Sequence, residues 1–474
     1  MSANNPLDID KLANSVHAGL RSWQNPQAES DVYLNRLLLF KEHLWENQSN
    51  SSISSRLAVS QLLLKSIEEL QKEDDTAATI LKLRFLDNTK IRGVAYQLGC
   101  SEDQVKRYQR DAIHQLAQII YTREIALREI KAIHLEGRLE APSYNDGHLY
   151  GVDAIVNDLV EQIVQKSTNC VLFITGIGGI GKTSLADNAI RKVIRYFQYD
   201  DIFWLHNKQS NNSSFHPSQW NWLLGQIYKY LFDEEMPAHS LNQQKTKIRD
   251  QLKSKPYLIA IDNLETEDEA IYLLNQLKDF GNPTKFLLTS RVRPPGQAGI
   301  YILTLNELSA TDSFALMRHH ARTIGITDIN EAPDKVLKPV FAATGGNPLA
   351  IKIVISLTAV IPISRLLFDL TEASVTEIEE MYKYIYWKAW HALRIESQAI
   401  LRMMPLAAEH GVTEEQMRAM TNLPEKQLWL GIHELVSRSL LEVRGTIWER
   451  RYGIHQLTES FLKTEVIHWP EELL

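Results

Sequence analysis

Cysteine is almost absent from this chain of 474 residues, which contains only Cys100 and Cys170. One lies in a predicted turn and the other in a predicted buried strand, so neither a disulfide framework nor a cysteine-based metal site is available. Long apolar runs are missing too. The most apolar long stretch, Leu349 to Ile363, is interrupted by Lys352 and Pro362 and is too short to span a bilayer.

A general excess of positive charge is also missing, since the formal net charge is −7. This balance argues against a protein that coats nucleic acid over its whole surface, although it allows a local basic module. The first residues, Met1-Ser-Ala-Asn-Asn-Pro6, are polar and do not resemble a signal peptide. We therefore expect a cytoplasmic protein without a membrane partner, and the length predicts about two to four domains.

One stretch organises the rest of the chain, because Gly176-Ile-Gly-Gly-Ile-Gly-Lys-Thr183 fits the phosphate-binding pattern G-x-x-x-x-G-K-S/T. An apolar run, Cys170 to Thr175, precedes it and predicts a buried strand, and Ser184 to Ile194 follow with helical periodicity. A glycine-rich loop between a strand and a helix points its N–H groups at phosphate oxygens, and the helix N-terminus adds a positive dipole end. The candidate nucleotide-binding residues of the loop are Gly176, Ile177, Gly178, Gly179, Ile180, Gly181, Lys182, Thr183 and Ser184.

Further residues supply a metal ligand and catalytic charges near this loop. Lys182 can reach the β- and γ-phosphates, and the hydroxyl of Thr183 can bind Mg²⁺. The apolar stretch Leu258 to Ile261 predicts a strand that ends in Asp262, whose carboxylate can hold the Mg²⁺ complex opposite Thr183. A later predicted strand ends at Arg291, which could reach a γ-phosphate. Alternating strands and helices predict a parallel α/β sheet with the nucleotide at its C-terminal edge.

Upstream, residues 54–140 have helical periodicity and contain a helix-turn-helix pattern between Lys90 and Arg110. Gly99 breaks the first helix, and Ser101 caps the second, with Gln104 completing a capping box. The second helix would present side chains suited to phosphates and base edges. These candidate DNA contacts are Gln104, Lys106, Arg107, Gln109 and Arg110. Helix-turn-helix units also dock proteins, so a DNA partner and a protein partner both stay open.

Beyond Asn306 the predicted strands stop, and helices continue past the turn Gly345-Gly-Asn-Pro348. The last segment predicts three helices, two short strands and a helix that begins near His455, an order typical of a winged helix. The sequence therefore predicts an α/β P-loop nucleotide-binding domain, flanked by an all-α helix-turn-helix domain and a C-terminal helical plus winged-helix region. The predicted boundaries are 1–53 for a partly helical N-terminus, 54–140 for the helix-turn-helix, 145–307 for the P-loop domain, 308–392 for the helical domain and 393–474 for the winged helix.

The order of these motifs resembles the STAND class of signalling P-loop ATPases, in particular the NB-ARC type found in plant resistance proteins, apoptosome scaffolds and many bacterial regulators. The resemblance covers about residues 145–470 and rests on a combination of motifs. They are Gly-Ile-Gly-Gly-Ile-Gly-Lys-Thr at 176–183, Ile-Asp-Asn at 261–263, Leu-Thr-Ser-Arg at 288–291, Gly-Gly-Asn-Pro-Leu-Ala at 345–350 and Tyr-Gly-Ile-His-Gln at 452–456. The N-terminal helix-turn-helix resembles that of bacterial sigma-factor region 4.

The resemblance implies a site for ATP or ADP with Mg²⁺, in which Pro348 packs near the base and His455 contacts the ADP β-phosphate. It also implies a switch. ADP would lock the winged helix onto the nucleotide domain, and exchange for ATP would release it. The protein would then form a homo-oligomer and expose its helix-turn-helix to an unknown sensor or effector protein. The preference for adenine rests on the resemblance alone.

The chain departs from the family at several positions. The family often has a second acidic residue after the metal-binding aspartate, where this chain has Asn263, and an amide cannot accept a proton from water. Glu265 is the candidate that substitutes for it. The family's histidine is usually followed by aspartate, whereas Gln456 follows His455 here, and Gly151-Val-Asp153 lacks the family's arginine. These departures predict slow or absent ATP hydrolysis. The candidate catalytic residues are Lys182, Asp262, Glu265 and Arg291.

Two other functions fit the same motifs. The chain could be a DNA-binding transcription regulator in which the nucleotide domain gates the helix-turn-helix. A replication-initiator ATPase also joins a P-loop domain to a winged helix, although the Gly-Gly-Asn-Pro-Leu motif argues against that function.

Overall fold

A computed structural model describes most of the chain. The described residues are 7–23, 33–46, 52–139, 149–165, 169–207, 217–233, 241–296, 299–372, 378–406, 411–438, 440–445, 449–454 and 456–467. They form two compact units, Met1–Glu136 and Gly137–Leu474. His455, one of the predicted site residues, lies outside the described residues.

The first unit contains only helical elements among its described residues. They are α1 Ile9–Arg21, a 3₁₀ turn Leu34–Arg36, α2 Leu38–Glu46, α3 Ser52–Glu73, α4 Asp75–Leu81, a π-helical turn Lys82–Leu86, α5 Ile91–Leu98 and α6 Glu102–Gly137. Apolar side chains at helical spacing fill its core. Leu62, Leu63, Ile67 and Leu70 form one face of α3, and all four are buried.

The predicted capping box between α5 and α6 is confirmed. Gly99 ends α5 with a φ of 64°, a conformation that glycine adopts without strain. The N–H of Ser101 donates to Oε1 of Gln104 at 2.9 Å, and the N–H of Gln104 donates to Oγ of Ser101 at 3.2 Å. The two helices pack together through Val94 of α5 and Val105 of α6, which are both fully buried.

A buried carboxylate joins α6 to the start of α2. Oε1 of Glu124 accepts the N–H of Leu38 at 3.0 Å, and Oε2 accepts the N–H of Leu39 at 3.1 Å. Arg128, one turn further along α6, donates to the same carboxylate at 2.7 Å. Because the first N–H groups of a helix have no partner within it, Glu124 acts as a distant N-terminal cap for α2.

The second unit is built around a five-stranded parallel sheet, which confirms the predicted α/β class. The strands are β1 Val171–Thr175, β2 Asp201–His206, β3 Tyr257–Leu264, β4 Lys285–Ser290 and β5 Ile300–Thr304. Their order is β2-β3-β4-β1-β5, and all neighbours are parallel. The carboxyl ends of the strands therefore meet at one edge of the sheet, where a ligand binds in folds of this kind.

Five helices alternate with these strands. They are α7 Asp153–Val164, α8 Lys182–Ile194, α9 Pro217–Phe232, α10 Leu241–Ser254 and α11 Glu267–Leu277. The predicted apolar face of α8, formed by Leu185, Ile190 and Ile194, is buried. This helix begins within the glycine-rich loop, so burial of its apolar face fixes one end of that loop.

The chain continues after β5 into helices and a two-stranded antiparallel sheet. The helices are α12 Ala310–Thr323, α13 Thr327–Asn330, α14 Asp334–Thr344, α15 Pro348–Leu357, α16 Ile363–Glu372, α17 Ile378–His391, α18 Ile395–Met403, α19 Glu414–Thr421, α20 Glu425–Ser437 and α21 Gln456–Phe461, and the strands are β6 Glu442–Gly445 and β7 Arg450–Gly453. One hydrophobic cluster extends through this region from Phe314 to Leu462. The elements after α17 follow the predicted order, and their assignment as a winged helix stays a prediction. None of the helices in the described ranges is long and apolar enough to cross a membrane.

A buried lysine connects the sheet to α7. Lys285, the first residue of β4, is 4% exposed. Its Nζ donates to the carbonyl oxygens of Gln162 and Gln165, both at 2.6 Å. These carbonyls lie at the C-terminal end of α7, where a cation also interacts favourably with the helix dipole. Burial lowers the pKa of Lys285 to about 8.

The substitution Lys285→Met should change how stability depends on pH. The native amine loses its proton near pH 8, whereas the unfolded one does so near 10.5, so the unfolded state binds more protons between these values. The cost of burying the charge is therefore relieved as the pH rises. Relative to the variant, the free energy of unfolding of the wild-type protein should increase by about 1 kcal/mol from pH 8 to 9. Chemical denaturation of both proteins across this range measures the difference, and a constant difference would contradict the expectation.

Candidate nucleotide-binding site

The glycine-rich loop connects the end of β1 to the start of α8, so the strand and the helix predicted on either side of it are both present. Gly176, Gly179 and Gly181 have positive φ angles of 154°, 71° and 102°. Gly179 also lacks room for a side chain, because a Cβ atom there would lie 2.9 Å from Cβ of Leu349. The loop therefore needs glycine for its backbone shape and for its close approach to another segment.

Several N–H groups of the loop are available to a ligand. Those of Gly179, Ile180 and Gly181 donate no hydrogen bond to the part of the chain that the structure describes. The first turn of α8 follows directly and contributes the positive end of its dipole. Successive N–H groups at a helix N-terminus bind anions, so the loop fits the phosphates of a nucleotide.

Lys182, the first residue of α8, turns its ammonium group into the loop. Its Nζ donates to two carbonyl oxygens of the loop, at 2.8 and 2.9 Å. Burial and, to a smaller extent, Arg291 lower the pKa of Lys182 to about 8, against the opposing effects of Asp262 and Glu265. The four predicted catalytic side chains are thus close enough to interact electrostatically. A bound phosphate would add negative charge and favour the charged form of Lys182.

Thr183 and Asp262, the predicted metal ligands, are in direct contact. The hydroxyl of Thr183 donates to Oδ1 of Asp262 at 3.0 Å and approaches Oδ2 at 3.3 Å. Asp262 is buried, and it also accepts a hydrogen bond from the hydroxyl of Thr289. Oγ1 of Thr289 in turn accepts the N–H of Asn263 at 2.9 Å. Mg²⁺ prefers oxygen ligands and keeps phosphates among them, so this hydroxyl–carboxylate pair fits a Mg²⁺–nucleotide complex.

Two neighbours of Asp262 were absent from the predicted site. Thr289 lies near the end of β4, and His206 ends β2, where the register pairs it with Asp262. Nδ1 of His206 lies 3.7 Å from Oδ2 of Asp262. The sequence contained one signal, namely polar residues at the carboxyl ends of predicted parallel strands. Choosing between those residues requires the strand order and register.

Glu265 and Arg291 form an ion pair beside the loop, with Oε1 of Glu265 3.4 Å from NH2 of Arg291. The N–H of Glu265 donates to Oε2 of Glu269 at 2.9 Å. Glu269 is buried, which raises its pKa, and it also accepts a hydrogen bond from Nδ2 of Asn207. Asn207 and Glu269 therefore fix the segment that carries Glu265, a contact that the sequence analysis missed.

Pro348 lies beside the glycine-rich loop, at the first position of α15. The residues on either side of it contact the loop directly. Nδ2 of Asn347 donates to the carbonyl of Gly178 at 3.0 Å, and the N–H of Leu349 donates to the carbonyl of Gly179 at 3.3 Å. His455, the other residue implied by the family resemblance, lies outside the described residues.

The candidate DNA contacts lie on the first turns of α6 in the N-terminal unit. Lys106, Arg107 and Arg110 are exposed, and Lys106 forms an ion pair with Asp103 at 2.8 Å. The two glutamines are less available than the pattern indicated. Gln104 completes the capping box. Oε1 of Gln109 accepts a hydrogen bond from Arg84, at 3.0 Å.

The parallel sheet, the loop between β1 and α8, and the contact between Thr183 and Asp262 define the second unit as a P-loop nucleotide-binding fold. Comparison with known protein families specifies its type. Residues 150–321 match the family model of the NB-ARC domain. The chain therefore contains an NB-ARC domain, which is a P-loop nucleotide-binding domain.

Individual relatives match parts of the chain. TMV resistance protein N from Nicotiana glutinosa is 27% identical over 213 residues, which cover 44% of this chain and 18% of that protein. Regulatory protein AfsR from Streptomyces griseus is 28% identical over 211 residues, which cover 44% of this chain and 20% of that protein. The chain thus spans about a fifth of the length of these relatives.

A solved structure also aligns with most of the chain. It is a STAND protein with a tetratricopeptide repeat sensor from Pyrococcus horikoshii, with a TM-score of 0.46 and 18% sequence identity. The alignment covers 70% of this chain and 44% of that one.

The substitution Thr289→Val should weaken nucleotide binding that depends on Mg²⁺. The variant lacks the hydroxyl that donates to Asp262, so the carboxylate loses an interaction that orients it. Affinity for a fluorescent ADP in the presence of Mg²⁺ should fall by about five- to tenfold, the factor expected for one hydrogen bond. Affinity measured with a chelator present should change little.

Thr284→Val is the matched control, because Thr284 lies just before β4, at the opposite end of that strand. Its hydroxyl donates to the carbonyl of Leu252 at 2.6 Å. This variant should lower the stability of the protein without altering the Mg²⁺ dependence of nucleotide binding. Equal Mg²⁺ dependence in Thr289→Val and the wild-type protein would rule out the orienting role of Thr289.

Proposed function

We propose that this chain is a signalling switch whose state is set by the adenine nucleotide in the glycine-rich loop. ADP holds the resting state, and exchange for ATP releases it. The proposal is carried by the hydrogen bonds from Asn347 and Leu349 to the loop, because both residues belong to the helical region that follows the sheet. A nucleotide bound in the loop therefore lies at a junction between two segments of the chain.

Each residue of the site has a separate task in this proposal. The loop N–H groups and Lys182 hold the β- and γ-phosphates. Thr183 and Asp262 hold Mg²⁺, which neutralises phosphate charge when it is bound. Mg²⁺ is usually bound by one or two carboxylates together with substrate phosphates and waters, so the phosphates would complete the coordination. Pro348 packs against the base and, by the family resemblance, His455 contacts the β-phosphate.

Hydrolysis should be slow at this site. Asn263 occupies the position where the family often has a second acid, and an amide accepts no proton from water. The carboxylate of Glu265, the residue that could substitute, is engaged by Arg291 at 3.4 Å. Slow hydrolysis suits a switch, because the bound nucleotide then reports exchange and not continuous turnover.

The consequence of exchange follows from linkage. A nucleotide shifts the protein between two states only by as much as its affinity differs between them. In the ATP state the C-terminal region is released, the helix-turn-helix becomes available to a sensor or effector protein in the cytoplasm, and copies of the chain assemble into a homo-oligomer.

Protein purified without added nucleotide should contain stoichiometric ADP. Denaturation followed by chromatography identifies and quantifies what is released. Lys182→Ala should retain none, because it lacks the ammonium group that binds the phosphates. Lys192→Ala is the matched control, since Lys192 is exposed on the same helix and should not affect retention.

Two outcomes would overturn this proposal. Tight nucleotide binding by Lys182→Ala would contradict the assignment of the loop. A wild-type protein that is empty and turns over ATP freely would contradict the switch and indicate a motor or a loader.

Transcription regulation through the helix-turn-helix is a second candidate function. It is supported by the exposure of Lys106, Arg107 and Arg110 on the helix that follows the turn. The guanidinium of Arg107 also lies 5.7 Å from the ring centre of Tyr108, so a cation and an aromatic side chain share this surface. Cationic side chains in this position can contact phosphates and base edges.

If DNA is the partner, binding by the full chain should weaken steeply with salt, because neutralised phosphates release counterions. The double variant Arg107→Ala/Arg110→Ala should bind duplex DNA about tenfold more weakly. The slope of log affinity against log salt concentration should also fall by about two, because two fewer counterions are released on binding. Fluorescence anisotropy at several salt concentrations measures both effects. Lys72→Ala, which removes an exposed lysine on α3, is the control. Undetectable or salt-independent binding would favour a protein-docking role.

A further inference from the structure

Asn347 uses both ends of its side-chain amide. Nδ2 donates to the carbonyl of Gly178 in the glycine-rich loop at 3.0 Å. Oδ1 accepts the N–H groups of Leu349 and Ala350, at 3.0 and 3.3 Å, and thereby caps α15. The residue is 2% exposed, so water does not compete for these hydrogen bonds. One buried side chain thus links the start of a helix to the loop.

A second contact lies beside the first. The N–H of Leu349 also donates to the carbonyl of Gly179 at 3.3 Å, and Cβ of Leu349 fills the space where Gly179 would carry a side chain. Asn347 belongs to the turn Gly345-Gly-Asn-Pro348. The side of this turn that faces away from the loop is held by the N–H of Leu308, which donates to the carbonyl of Gly346 at 3.0 Å. The turn is therefore fixed against the loop and is not an isolated helix cap.

Peptide geometry makes this contact relevant to the ligand. In a planar trans peptide the C=O and the following N–H point in opposite directions. When Asn347 and Leu349 hold the carbonyls of Gly178 and Gly179, the N–H groups of Gly179 and Ile180 must point away from the turn. These are two of the N–H groups that donate no hydrogen bond to the described residues.

We propose that Asn347 is a positioning residue for phosphate binding. It holds the carbonyl of Gly178, so that the N–H groups of the loop face the nucleotide phosphates before the ligand arrives. Separation of the turn from the loop would free these peptides to rotate and would weaken the hold on the phosphates. This inference rests on the proposed nucleotide-binding function. It adds that nucleotide affinity depends on a hydrogen-bond donor outside the phosphate-binding motif, namely the side-chain amide of Asn347.

The alternative role for Asn347 is to cap α15 and nothing more, and two substitutions separate the roles. Asn347→Ser and Asn347→Asp both retain an oxygen that can cap the helix. Aspartate has no donor for the carbonyl of Gly178. Serine has a single hydroxyl on a shorter side chain, so it cannot cap the helix and also reach that carbonyl as the two ends of the amide do. The serine variant is decisive because it is neutral, whereas aspartate also adds a charge that repels the carbonyl and the phosphates.

Dissociation of a fluorescent ADP from the full chain tests the inference. It should be about tenfold faster from Asn347→Ser than from the wild-type protein, and faster still from Asn347→Asp. The midpoint of thermal unfolding without nucleotide should change little in the serine variant, while the increase in that midpoint on adding ADP should be smaller.

Ser309→Ala is the matched control, because Ser309 caps α12 through the N–H of Asp312 at 3.1 Å. This variant should lower the unfolding midpoint and leave ADP dissociation unchanged. Wild-type rates of dissociation from Asn347→Ser would overturn the positioning role and leave the proposed function intact. Failure of the wild-type protein to bind ADP would overturn the proposed function itself, so the two failures are distinguishable.

Discussion

The site depends on a loop in which the N–H groups of Gly179, Ile180 and Gly181 donate no hydrogen bond to the described residues and yet keep a fixed direction. A polar group left without a partner away from water costs about 1–3 kcal/mol, so such a loop must be supported by its surroundings. β1 and α8 fix its ends, and Lys182 binds two of its carbonyls. Asn347 and Leu349 bind the next two. The protein thus engages four successive carbonyls of the loop and leaves the N–H groups of Gly179, Ile180 and Gly181 for a ligand.

The carboxylates near the loop differ in what surrounds them. Asp262 accepts hydrogen bonds from two threonine hydroxyls and has His206 at 3.7 Å, so its orientation is well defined. Glu265 instead faces Arg291, and its backbone is fixed by Glu269. The arrangement favours holding a metal–phosphate complex over activating a water molecule. In the proposed switch, nucleotide binding and hydrolysis would therefore be separable.

Local patterns in the sequence were enough to predict the parallel sheet, the loop and the capping box of Ser101 and Gln104, because each depends on neighbouring residues. The contact between Thr183 and Asp262 was also predictable, since Thr183 follows the loop after β1 and Asp262 lies near the carboxyl end of β3 in the same parallel sheet. Thr289 and His206 were not, because their proximity to Asp262 depends on strand order and register. The contact between Asn347 and the loop was missed for a related reason, since its partner lies 169 residues away in the sequence.

The length of α6 has a mechanical consequence. Its 36 residues form one helix from Glu102 to Gly137, and the capping contact to α2 is made by Glu124. At a rise of 1.5 Å per residue, the arm before Glu124 is about 33 Å long and the arm after it about 20 Å. The longer arm is packed along its length, since Ala112, Leu116 and Ile120 are buried in the core of the first unit. The helix is therefore a braced arm, and the surface that carries Lys106, Arg107 and Arg110 moves together with that core.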